Sequence, residues 1–155
     1  MIEPLPFTLR VPKRDMVTFL GFEAVKSRVT GLLHFEENTL IFEWQVREKT
    51  ERFGFEGIGN EYETFPAEAI EVPAEWIAEI RVRSFLFTHW VQFRARRLDT
   101  FDGMPTGDGG LITLRIAMKD RHAIAAMVDA IEGARNALPY QAPSATQQLP
   151  AGDPE

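Results

Sequence analysis

The chain contains no cysteine among its 155 residues. Disulfides, thiolate nucleophiles, cysteine-ligated zinc and iron–sulfur clusters are therefore excluded together. No run approaches the roughly 18 uninterrupted apolar residues that a membrane-spanning helix requires. The opening residues, Met1-Ile2-Glu3-Pro4-Leu5-Pro6, lack the basic start and long apolar stretch of a secretory signal. A cytoplasmic protein is the expectation. Net positive charge is missing too: the formal net charge is −6. No nucleic-acid partner is expected, because such binding needs a basic surface to displace counterions from phosphates. A local basic patch remains compatible with this balance.

The main body is rich enough in apolar residues to fold. Hydrophobic residues make up 45% of the chain and charged residues 26%, the ordinary balance of a globular domain. Phe7–Val11 reads as a short strand broken at Pro12, and Val17–Val25 is ambiguous between strand and helical turn. Val29–Phe35 and Thr39–Arg47 read as a hairpin about the polar connection Glu36-Glu37-Asn38. Leu40, Phe42, Trp44 and Val46 alternate with Ile41, Glu43, Gln45 and Arg47, which puts the aromatics on a core face. Glu48–Phe65, with three glycines and many glutamates, reads as a long loop or a distorted hairpin extension. Ala69–Val72 and Trp76–Ser84 are further strands. Val91, Phe93 and Ala95 then form an apolar face, so the change of parity at Ser84–His89 requires a hairpin tip. Asp99–Gly110 is a Gly/Asp-rich loop, and Leu111–Ala117 is the last strand.

One helix closes the pattern. Asp120 is a candidate N-cap, Ile124, Met127, Val128, Ile131, Ala134 and Leu138 recur at helical spacing, and Pro139 ends the run. The expected organisation is an N-terminal arm over 1–16, a single domain over 17–138, and a Pro/Gln-rich tail over 139–155. Strands in succession followed by one helix argue against a doubly wound sheet. The fold class expected is mainly β (α+β): a bent antiparallel sheet or barrel of about six or seven strands with one C-terminal amphipathic helix.

That order resembles the pleckstrin-homology-like (PH-like) superfold, in which a C-terminal helix plugs a bent antiparallel barrel. Ile70-Glu71-Val72-Pro73-Ala74-Glu75-Trp76-Ile77 resembles the strand–Pro–turn–Ile step of bacterial domains of this type. The resemblance covers roughly Val17–Leu138 and contains no diagnostic motif. It implies a role in binding phosphoinositides, peptides or other proteins, and no particular ligand.

The residues that carry catalysis elsewhere lack the necessary spacing here. His34, His89 and His122 form no metal pair, Ser27, Ser84 and Ser144 have no nucleophile elbow, and Gly54-Phe55-Glu56-Gly57-Ile58-Gly59 is not a dinucleotide fingerprint. Glu61/Glu63 and Glu68/Glu71 read as a solvated acidic edge, and the glycines near Asp99 and Asp108 as turn chemistry without a calcium pattern. No catalytic residue, metal or cofactor is expected. The stronger surface signal is Arg81, Arg83, Arg94 and Arg96 on one outward face with Trp90, beside an apolar tip of Phe85, Leu86 and Phe87. Three readings follow from it. The expected role is a non-enzymatic domain that self-associates or binds a protein partner through this face or the tip; the alternatives are that Phe85 and Phe87 fold into the core while the arginines pair with glutamates, or that the tip meets an anionic membrane surface or phosphoinositide. A further alternative is a ligand or enzyme pocket in the barrel, lined by Trp44, Trp76 or Trp90.

Overall fold

A computed structural model describes residues 2–19, 21–54 and 57–137. Among the described residues nine antiparallel strands form one sheet: β1 (Leu5–Leu9), β2 (Arg14–Thr18), β3 (Gly21–Glu36), β4 (Thr39–Gly54), β5 (Gly57–Thr64), β6 (Glu68–Pro73), β7 (Ile77–Phe85), β8 (Thr88–Ala95) and β9 (Leu111–Ala117). They are followed by helix α1 (Arg121–Ala137). The spatial order is β5-β4-β3-β1-β9-β8-β7, with β2 added to β3 and β6 to β4. The expected count of about six or seven strands is corrected to nine among the described residues, and of the two expected forms, sheet or barrel, the sheet is found, since it is not closed.

Most of the difference lies in two long strands. β3 and β4 run 16 residues each, joined by the two-residue turn Glu37-Asn38, where both residues have positive φ. Their Val29–Glu36 and Thr39–Val46 halves belong to the core sheet, and the rest projects beyond it, flanked by β2 and β5. The segments 48–54 and 57–64 are thus the hairpin extension and not a loop. Nearly every residue of this projecting arm is solvated or half-solvated, and β5 is exposed throughout. A strand with no buried face leaves no alternating pattern to read.

The segment over 1–16, read as an arm, supplies β1, which pairs with β3 along its length and touches β9 at Thr8–Arg115. Leu5, Phe7 and Leu9 are buried in the common core. Gly31 lies opposite this strand, and a Cβ there would overlap the Phe7 ring and the Glu43 carbonyl oxygen, so only glycine lets β1 seat its aromatic. Phe42 is the centre of the core. Its ring lies 5.6 Å from Phe101, 5.7 Å from Phe93 and 6.5 Å from Phe7, each near edge-to-face. Phe101 and Met104 reach this cluster from the Asp99–Gly110 loop.

Helix α1 covers the inner face of the sheet with Ile124, Met127 and Ile131, and Val128 and Ala134 pack beside them. Leu138 and the segment over 139–155 fall outside the described residues. A bulge at Ala78 explains how both Ile77 and Ile80 face inward, because the extra residue reverses the side-chain parity. The Ala78 carbonyl accepts a hydrogen bond from Arg135 Nη1 at 2.9 Å, tying the end of the helix to β7. The expected N-cap is corrected. Asp120 ends a 3-10 turn at Met118–Asp120, and its Oδ2 is buried without a hydrogen-bond partner among the described residues.

Candidate binding face and hairpin tip

The β7–β8 hairpin closes on a two-residue turn, Leu86-Phe87, between the paired Phe85 and Thr88. Leu86 has φ of 52°, a conformation that two-residue hairpins ordinarily assign to glycine or asparagine. Phe85, Leu86 and Phe87 are 73%, 75% and 81% exposed. The reading in which Phe85 and Phe87 fold into the core is therefore corrected. With no buried face left near the turn, three consecutive large apolar side chains stand in solvent, one of them on strained backbone.

Behind the tip lies the face opposite the helix. Arg81 stands beside Gln92, Arg83 beside Trp90, and Glu79 beside Arg94, so Arg81, Arg83, Arg94 and Trp90 share the outward face as expected. Arg96 does not join them. The strand ends at Ala95, and Arg96 turns its Nε to the Glu75 carbonyl at 3.1 Å. Arg81 donates to Glu79 at 2.7 Å, and this hydrogen bond holds the Glu79 carboxyl below its ordinary range. That exposed pair adds a little stability above the ordinary carboxylate range, lost as pH falls through the depressed value. Arg83 makes no ion pair with any described residue.

The third strand brings residues that sequence alone did not single out. Trp90 pairs with Arg115, whose guanidinium lies 5.6 Å from the indole ring and donates to Thr88 at 3.3 Å. Thr88 pairs with Ala117, so Met118 and Lys119 follow directly beside the tip. Phe87, Thr88, Arg115, Met118, Lys119 and Asp120 are among the residues lining a shallow groove of ≈ 490 Å³. The alternation of buried Ile112, Leu114 and Ile116 was the available signal that Arg115 faces outward.

Other candidates separate. Trp44 is buried in the core, Trp76 lies half-buried under Arg97, and Trp90 is on the outward face, so the three tryptophans line no common pocket. Ser84 Oγ and His89 Nδ1 are 2.5 Å apart just below the tip. His89 Nε2 has no hydrogen-bond partner among the described residues, so this pair lacks the orienting group of a nucleophilic relay. No metal-holding group of three His, Asp or Glu side chains occurs among the described residues.

A second exposed apolar set lies on the arm. Val17, Phe22, Phe53 and Ile58 are register partners across β2, β3, β4 and β5, forming a continuous row with Phe22 and Phe53 rings 6.2 Å apart. All four are exposed. The next rows of that face carry Glu51, paired with Lys49 and Lys26; the Lys49 hydrogen bond above all, and the Lys26 charge less, lower the Glu51 pKa. Compared with known proteins, the chain matches no family model, no curated protein and no solved structure. No helix among the described residues is long and apolar enough to cross a membrane.

Proposed function

We propose that the protein is a non-enzymatic binding module that docks the Phe85–Phe87 tip on an anionic membrane surface. The observation that carries this reading is the tip: two exposed apolar side chains on a two-residue turn and a third, Phe85, at the strand end beside it, with Arg83, Arg115 and Lys119 immediately behind them. Among the described residues nothing covers this apolar turn. It suits the headgroup–acyl boundary, where apolar side chains enter and cations stay at the phosphates. Each basic residue near an anionic leaflet adds about 1 kcal/mol. Local placement thus outweighs the acidic total. A cytoplasmic location fits, because the cytoplasmic leaflet carries the anionic lipids. The PH-like resemblance is part of the same proposal, supported by the C-terminal helix over the sheet; the projecting arm is where this chain departs from it.

Sedimentation with vesicles tests the reading. Binding is expected to anionic vesicles at low salt, much less to neutral ones, and to fall as salt screens the arginines. Equal binding to both, or none, ends the proposal.

A second reading rests on the apolar row of the arm. Val17, Phe22, Phe53 and Ile58 favour a protein contact, with a second copy of the chain as the simplest partner. Sedimentation velocity is expected to show a concentration-dependent dimer that Phe53→Asp weakens. A strict monomer at high protein concentration removes this reading and leaves the tip proposal standing.

A further inference from the structure

The outward face contains a notch that the hairpin tip does not use. β1 stops at Leu9 and β2 begins at Arg14, while β3 runs on past both. Pro12 lies in the gap and cannot donate to a ladder. The sheet is therefore interrupted opposite Lys26–Arg28, leaving a depression of ≈ 420 Å³ lined by Thr8, Arg10, Arg28 and Arg115, with no acidic residue in its wall.

The charge arrangement around this notch is unusual. Arg28 stands directly opposite Arg47 in the β3–β4 ladder. Like charges directly opposed across strands destabilise a sheet. Arg10, Arg28, Arg47 and Arg115 form no ion pair with any described residue, although the chain has more acids than bases. The adjacent carboxylate, Glu48, points to the other face of β4, where Arg14 and Ser27 hold it. Nothing described neutralises the cluster.

We propose that the notch is a binding site for a phosphate group, free or as a soluble monoester, gripped by Arg10, Arg28 and Arg115 with Arg47 adding charge. Guanidinium forks match phosphate oxygens two at a time, and a dianion is the ligand that removes the Arg28–Arg47 repulsion. The site shares Arg115 with the basic residues behind the tip, while Arg10 and Arg28 belong to the notch alone. Strand rise and spacing place Arg28 roughly 20 Å from Leu86, across β9 and β1, beyond the headgroups that an inserted tip would meet.

The test is thermal unfolding of the whole chain in inorganic phosphate against chloride at equal ionic strength, repeated with glycerol phosphate and with phosphatidic-acid vesicles. Phosphate and glycerol phosphate are expected to raise Tm saturably. Arg28→Gln is expected to raise Tm in chloride, by relieving repulsion, while shifting half-saturation by phosphate upward roughly tenfold. Lys119→Gln keeps the phosphate response. The proposal is overturned if Arg28→Gln responds to phosphate like the wild type, if its Tm in chloride falls, or if only vesicles act.

Discussion

Replacing Phe85 and Phe87 together by aspartate is expected to weaken binding to anionic vesicles at least roughly a hundredfold while leaving the fold intact. Both side chains are mostly exposed, so their loss removes no core contact. Burying an apolar side chain of this size is favourable by about 1.5–3 kcal/mol when complete. Partial insertion of two rings, together with two new negative charges at an anionic surface, therefore changes partitioning by roughly 3–5 kcal/mol. Leu86→Gly separates binding from stability. Glycine accepts the positive φ, so Tm is expected to rise by a few degrees while vesicle binding weakens. A double variant that binds as the wild type does would show that the tip is not the docking element.

Phe42→Ala is expected to be the most destabilising single truncation in the core. Its ring touches aromatic partners from β1, β8 and the Asp99–Gly110 loop, so no one segment can collapse into the space it leaves. The expected loss is about 3–5 kcal/mol, a large part of the stability of a domain this size. Urea unfolding should show a lower midpoint with an unchanged slope. A loss below about 1 kcal/mol would mean that the loop and β1 do not share one core with β4 and β8.

What was legible in the sequence followed burial. Leu111–Ala117 alternates between buried residues and half-buried or exposed ones and is a strand over that same span. β5 has no buried residue and two glycines, so its sequence carries no period. β1 has only five residues, one of them Pro6, too few to distinguish a central strand from an arm. The tip was legible because parity changes across it, but whether Phe85 and Phe87 turn inward depends on where the helix ends its cover. Arg96 was misplaced because the pattern continues past Ala95 although the strand does not. The opposition of Arg28 and Arg47 depends on the turn. A two-residue connection at Glu37-Asn38 pairs them, while a three-residue connection at Glu36–Asn38 shifts the register and separates them.

Because the chain has no cysteine, Leu86→Cys provides a single attachment point for an environment-sensitive fluorophore between two intact phenylalanines. On addition of anionic vesicles the emission is expected to shift to the blue and to be quenched by quenchers placed at the headgroup–acyl boundary, with no change on neutral vesicles. Vesicle binding with unchanged emission, or a blue shift produced by protein concentration without lipid, would contradict docking of this tip on a membrane.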